Sequence, residues 1–559
     1  MSRIIGIDLG TTNSCVAALD DRGTPRVLAA EDGSRTIPSW VSWTPNGAVV
    51  VGAPAQRQAV SNPANTVFGV KRLIGRKVNA EDVTWFARLA PFRIVAATNG
   101  DAWVRIGEPS TPTSPQEVAA HVLRRLRAVA ENALGEPVTR AVVTVPAYFD
   151  EMQRQATRHA GTIAGLDIVR ILNEPTAAAL AYGAHRVGQG RRLIAVFDLG
   201  GGTFDISIMA VENGIFEVLA TGGDSALGGE DWDRRILEML MDEIFDKHRI
   251  DLTANVVAMS RLREAAESAK RMLSTSSETT IALPFLCNDN NGAPLNFTRT
   301  LTRREVEAKS AELLERLQAP CKRALADTGL TAADIEEVLL VGGMTRWPAV
   351  QTLVESIFGK KPSKGANPDE VVALGAAAYA GILSGDADDA ALLDVTPRDI
   401  GIKVGESQFV TIIPRNSMLP VRARRLFATT SQDQKFVAIE LYQGEDEDVG
   451  GNRRLGRVVL GDLPPGPAGS VRVELILTID VESILEVTAR ELKSGKEASV
   501  TIRPTGGLSQ DEIFEIVARR RQESSMVGKL PAHDDSSVRN VSASEIPLSD
   551  GVPPKREPK

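Results

Sequence analysis

A chain of 559 residues is too long for one hydrophobic core, and at about 150 residues per domain it implies three or four folding units. Its composition is that of a globular protein, 43% hydrophobic and 24% charged, and a net charge of −8 argues against non-specific binding to nucleic acid or to an anionic membrane. The first residues enter a strand pattern without a secretory apolar stretch, and no apolar run reaches the roughly 18 residues of a membrane span, so the expectation is a cytoplasmic protein.

In chain order, short β-rich runs alternate with amphipathic helical stretches up to about Gly385, which predicts α/β layers over residues 1–385. The run Ile5-Gly6-Ile7-Asp8 opens the chain and is followed by Leu9-Gly10-Thr11-Thr12-Asn13. Ser114-Pro115-Gln116-Glu117 is a capping box with proline at the first helical position, and Val118, Val122, Leu123, Leu126 and Val129 follow at helical spacing. Asn173-Glu174-Pro175 sets a carboxylate ahead of an alanine-rich helix, whose small-residue counterpart is Leu374 to Ala378. The opening run then recurs: Ala195-Val196-Phe197-Asp198-Leu199-Gly200-Gly201-Gly202-Thr203-Phe204-Asp205 repeats the apolar strand, aspartate, Leu-Gly and hydroxyl-bearing turn, which predicts two related lobes facing one cleft. A helix is expected over 260–273, and Val338 to Val341 is a buried strand ending in Gly342-Gly343.

An acidic segment with a short apolar step, residues 386–395, reads as an interdomain linker. Beyond it the period changes to two, with Val437/Ile439/Leu441 and Val471/Val473/Leu475/Leu477/Ile479 alternating between turn signals, so a β-sandwich is expected over 396–506. Ser509 caps a short helix within 507–527, and 528–559, rich in Ser, Pro and Asp, should be disordered.

Chemistry is not to be sought at the three scattered cysteines, Cys15, Cys287 and Cys321, or at the five dispersed histidines, which fit neither a disulfide framework nor a metal cluster. The two glycine turns are better candidates. Glycine lets backbone N–H groups approach phosphate oxygens, and threonine hydroxyls add donors. A carboxylate at the preceding strand end repels phosphate unless a hydrated magnesium ion lies between, so Asp8 and Asp198 should both face a metal on a clamped polyphosphate. Each loop alone reads as a hairpin turn; both together, in one residue order, do not. No Gly-x-x-x-x-Gly-Lys-Ser/Thr segment occurs, which excludes a P-loop enzyme.

With Val145-Pro146-Ala147-Tyr148-Phe149, Gly228-Gly229-Glu230-Asp231-Trp232-Asp233, Lys71-Arg72-Leu73-Ile74-Gly75 and Asn367-Pro368-Asp369-Glu370, these segments resemble the signatures of the seventy-kilodalton heat-shock, DnaK-like chaperones, nearly continuously from residue 3 to about 515. The resemblance implies a duplicated, ribonuclease H-like, actin-type two-lobed ATPase followed by a β-sandwich that binds peptide. It implies ATP or ADP with magnesium, and potassium as a further candidate ion. Gly10, Thr11, Thr12, Asn13, Gly200, Gly201, Gly202 and Thr203 would hold phosphates; Asp8, Glu174 and Asp198 would organise magnesium; Lys71 would reach the γ-phosphate; Asp205 and Thr203 would position water. Adenosine would lie among Glu267, Lys270, Arg271, Ser274, Gly342, Gly343, Arg346 and Asp369. Pro146 and Arg154 resemble a nucleotide switch, while Arg170, Leu392, Leu393 and Asp394 match positions for J-domain co-chaperones and for the linker. Ile400, Ile402, Phe427, Val437 and Ile439 match a pocket for extended apolar segments of unfolded proteins, and a nucleotide exchange factor is implied as a further partner.

Three departures stand out: Ala390-Ala391 before Leu392-Leu393 in place of a longer apolar run, Gly405 and Thr430 where apolar side chains arch over peptide, and an expected loss of the long helical lid after Gln510. Two further readings are a small-molecule phosphotransferase, against which the linked β domain argues, and a regulatory paralogue with one dedicated partner.

Overall fold

The two echoing segments fold as the same unit. Ile4–Asp8 turns back into the antiparallel strand Asn13–Leu19 and pairs on its other side, in parallel, with Arg140–Val145. Arg192–Leu199 likewise turns into Phe204–Glu212 and pairs in parallel with Glu337–Val341. Each hairpin sits within a larger mixed sheet, completed in the first lobe by Asp167–Asn173 and Pro25–Val27, and in the second by Ile215–Asp224. Ile5, Ile7, Phe197 and Phe204 are fully buried because helices cover both faces, as parallel strands require. The computed structural model describes residues 3–107, 111–183, 190–363, 367–386, 390–481, 483–502 and 508–527.

Local sequence rules account for the helices. Pro115–Leu134 starts as its capping box predicts, with the Glu117 N–H donating to Ser114 Oγ at 3.2 Å and the Ser114 N–H donating to the Glu117 carboxylate at 3.3 Å. The helix expected from 260 begins earlier, at Val256–Leu273, because Asn255 caps it by accepting the Ala258 N–H at 3.0 Å. The alanine-rich helices Glu174–Gly183 and Val371–Ser384 cross so closely that a Cβ on Gly375 would enter the Ala177 carbonyl, and one on Gly6 would strike the Ala376–Ala377 backbone.

The β domain is two antiparallel four-stranded sheets, in the orders Gln408–Ile413, Ile400–Val404, Val437–Gln443, Arg453–Leu460 and Val421–Ala428, Arg472–Ile479, Leu485–Glu491, Glu497–Ile502. Val473, Leu475, Leu477, Leu441 and Val458 fill the layer between them. The apolar step of the linker is itself a strand. Ala391–Leu393 adds to the second lobe's sheet in parallel with Ile215–Asp224, Leu392 opposite Phe216. By contact the chain divides after Ile513, and the helix Gln510–Val527 carries the expected box, with the Glu512 N–H on Ser509 Oγ at 3.2 Å. The expected disordered tail, residues 528–559, lies outside the described residues, and so does the chain on which the truncated lid was judged.

Candidate active site

The strand ends and one helix start bring four acids around one amine. Lys71, from the single turn Val70–Arg72, is buried, and its Nζ donates to Glu174 Oε1 at 2.6 Å. Asp8 and Asp198 stand at the ends of the two central strands, and Asp205 begins the return strand of the second lobe. Burial and then the Glu174 charge push Asp8 up to about 7 and Asp205 up to about 8, with Lys71 opposing in both cases. Asp198 is raised for the same two reasons, with Asp205 and Asp8 adding to them. One ammonium thus faces four buried carboxyls, a site short of positive charge whose donors are all hard oxygens, which suits magnesium. Among the described residues no three His, Cys, Asp or Glu side chains converge as direct ligands of one ion.

The loops face each other over this cluster. A Cβ on Gly202 would lie 2.7 Å from Thr11 Cγ2, and one on Gly201 would collide with the Thr12 side chain, so only glycine lets them close. Ser39, for which the sequence carried no signal, braces the first loop: its Oγ donates to the Gly10 carbonyl at 2.8 Å and its N–H to the Thr12 carbonyl at 2.8 Å. The second loop is held by the Gly229 N–H on the Gly200 carbonyl at 2.9 Å and the Glu230 N–H on the Gly201 carbonyl at 2.8 Å. Asn13 starts the strand leaving the first loop, and Thr203 is buried behind the second.

The residues expected around adenosine fall into two groups beside these loops. Gly342 has φ +81°, and a Cβ there would lie 2.7 Å from Asp198 Oδ1; Gly343 follows it, and Arg346 donates to Asp369 at 2.7 Å. On Val256–Leu273, Lys270 donates to Asp233 at 2.7 Å and to the Gly229 carbonyl at 2.8 Å, Ser274 donates to the Lys270 carbonyl, and Glu267 lines a cavity with Thr11, Thr12 and Phe68. Arg271 is exposed. Arg72 bridges the lobes through Glu230 at 2.7 Å and Asp231 at 3.0 Å.

The segment expected to act as a switch connects this site to the β domain. Asp205 accepts the Tyr148 N–H at 3.0 Å, while the Tyr148 hydroxyl donates to Glu445 of the β domain at 2.8 Å and its ring lies under Arg398 at 4.2 Å. Arg154, following Pro146 along the same segment, donates to the Ala147 carbonyl at 3.1 Å and to Asn173 at 2.7 Å, and Asn173 donates to Asp394 at 2.6 Å. Arg415 reaches Asp327 at 2.7 Å and Glu445 at 3.0 Å, Arg453 bonds Asp150 and the Gly75 carbonyl, and Arg170 donates to the Val481 carbonyl at 2.6 Å. Of these residues the sequence marked Arg154, Arg170 and Asp394, whereas the pairs made by Glu445, Arg415 and Arg453 carried no signal in it. Leu392 packs against the second lobe's core and Leu393 is half-buried beside it. In the β domain Phe427 and Val437 are half-buried, but Ile400, Ile402 and Ile439 belong to the sandwich interior.

Two like lobes closing glycine turns over a buried acid cluster are those of the actin-like ATPases, here joined in one chain to a β-sandwich. A family model described as Hsp70 protein matches residues 4–538. The mitochondrial heat shock 70 kDa protein of Pisum sativum is 47% identical over 556 residues, 98% of this chain and 81% of that protein. The chain belongs to the Hsp70 family: it is an ATPase and an ATP-dependent chaperone that binds unfolded polypeptides. The expectation of a cytoplasmic location is corrected by this relative, which is mitochondrial. That expectation was built on an apolar stretch, a feature of secretory signals alone, whereas organelle transit segments are amphipathic and carry no such run.

Proposed function

We propose that the acid cluster and the two loops form one hydrolytic site whose state is read by the β domain. Magnesium, when bound, neutralises charge on the phosphates. Asp8, Glu174 and Asp198 would hold its water shell, and the N–H groups and hydroxyls of 10–13 and 200–203 would fix the phosphates in line. Lys71 Nζ would leave Glu174 for the transferring phosphoryl group, where a positioned charge is worth most. The Asp205 carboxylate would orient the attacking water and accept its proton, and the base would rest between Lys270 and Arg346. ATP or ADP is the nucleotide, with potassium a further ion of the same site.

The observation that carries the reading is the contact Asp205–Tyr148–Glu445, in which a carboxylate of the site and a carboxylate of the β domain hold opposite ends of one residue. A change at Asp205 alters the Tyr148 N–H bond and with it the docking of the β domain, so nucleotide and peptide affinities are reciprocally linked. Residues 1–385, 386–395 and 396–506 serve as the ATPase part, the relay and the peptide-binding part, with 507–527 as a helical appendage. Ile400, Ile402, Phe427, Val437 and Ile439 form the peptide pocket, which opens as the inner residues part from the sandwich. Arg170 and Asp394, both at the docking seam, are where a J-domain protein would bias it, and an exchange factor would act on the lobes. Glu445→Gln should leave basal hydrolysis near wild type and reduce its stimulation by an apolar peptide at least about threefold. Unchanged stimulation would refute this relay.

A further inference from the structure

In the β-domain strand Val421–Ala428, cross-strand register fixes the face taken by each side chain. Ala423, Arg425 and Phe427 stand opposite Leu477, Leu475 and Val473, all fully buried, so these three belong to the face that looks into the sandwich. Ala423 and Phe427 are half-buried, as inward positions should be, but Arg425 between them is exposed. At the edge of its sheet the long Arg425 side chain reaches water from the inward-looking side of the strand. The strand forms that edge: among the described residues only Arg472–Ile479 pairs with it. The other edge can accept an extended segment by strand addition.

The charge of that edge is one-sided. Residues 421–428 contain Arg422, Arg424 and Arg425 and no acid. Among the described residues Arg422 and Arg425 have no hydrogen-bond or ion-pair partner, and Arg424 has Glu474 at 4.0 Å, a carboxylate that Arg490 already holds at 2.6 Å. Charged residues also protect an edge strand from self-association, and that role alone would make the strand indifferent to where a bound peptide carries its charge. An arginine on the inward face, next to the apolar Phe427, is instead set to meet a carboxylate one or two positions from an apolar anchor, where its planar fork can bind both oxygens.

We propose that the β domain, holding peptide in the pocket assigned to it above, selects extended segments in which an apolar anchor is flanked by aspartate or glutamate. Arg425 is the specificity-determining residue, and Arg422 and Arg424 extend the basic edge. This specificity rests on the peptide-pocket reading. The test uses the full chain with ADP and three fluorescent peptides that share one apolar core and carry Asp, Asn or Lys flanks. The Asp-flanked peptide should bind about threefold to tenfold more tightly than the Asn-flanked one, with the advantage shrinking as salt rises. Arg425→Gln should erase the advantage while Asn-flanked binding stays within about twofold of wild type, and Arg425→Glu should make the Lys-flanked peptide the tightest. Equal binding of Asp and Asn flanks, preference for Lys flanks by the wild type, or an advantage that survives Arg425→Gln overturns the proposal. If the neutral peptide binds in those cases, the pocket reading stands without it; if no peptide binds, both fall.

Discussion

Replacing Lys71 by alanine separates what that amine does for the fold from what it does for the reaction. Its Nζ is 2.6 Å from Glu174 and 5.6 Å from the centre of the Phe149 ring, in a pocket where side-chain exposure is 5% for the lysine and 9% for the glutamate. Removing one partner of a buried pair costs about 3–5 kcal/mol when the other stays charged. Here the loss is smaller at low pH, because the acids can take up protons instead. Asp8 at about 7 and Asp205 at about 8 are raised above their unfolded values, so the folded state favours their neutral forms. That contribution is complete below the unfolded carboxylate range and is lost as pH rises through 7 and 8. Without Lys71 the remaining charges repel more strongly, so the stability deficit of the variant should be larger at pH 8 than at pH 6. For hydrolysis, losing one preorganised charge at the transferring group should lower the rate by roughly 100- to 1,000-fold, about 2.7–4 kcal/mol, while ATP still binds. Single-turnover quench measurements at saturating ATP, with thermal unfolding at the two pH values, separate the effects. A single-turnover rate within about twofold of wild type, or a stability deficit independent of pH, would refute the reasoning.

Because Asp8 and Asp205 are partly protonated near neutrality in the free protein, binding of magnesium-ADP at pH 7 should release on the order of one proton. Calorimetry in two buffers of different ionisation enthalpy reads this directly, and identical heats would contradict it. Leu392→Asp with Leu393→Asp should strip the linker strand from Ile215–Asp224 and abolish peptide stimulation of the ATPase without changing basal nucleotide affinity. Full stimulation in that double variant would exclude the linker as a relay.

The two glycine turns and their mutual approach were legible in the sequence because their physics is local: an apolar strand, a terminal aspartate, and glycines where Thr11 and Thr12 leave no room for a Cβ. The box at Ser114 was legible for the same reason, whereas Asn255 was not, since an asparagine before Val256-Val257 reads equally well as loop. The linker strand is three residues long, too short for an alternation to show. Apart from Arg170 and Asp394, the docking seam was illegible in the sequence. Arg415 with Asp327, Tyr148 with Glu445 and Arg453 with Asp150 are ordinary polar residues 88, 297 and 303 positions apart, and only the folded chain makes them neighbours. Strand alternation marks Ile400, Ile402 and Ile439 as inward-facing but cannot tell a ligand pocket from the core that they occupy here.

The central claim is that nucleotide at the acid cluster governs how the β domain holds a peptide. The most direct measurement is stopped-flow release of a fluorescent apolar peptide from the full chain, first with ADP bound and then after mixing with ATP. The account predicts release at least about threefold faster with ATP, since the nucleotide can shift the docked arrangement only by its differential affinity for the two states. Equal release rates in both nucleotide states would contradict it.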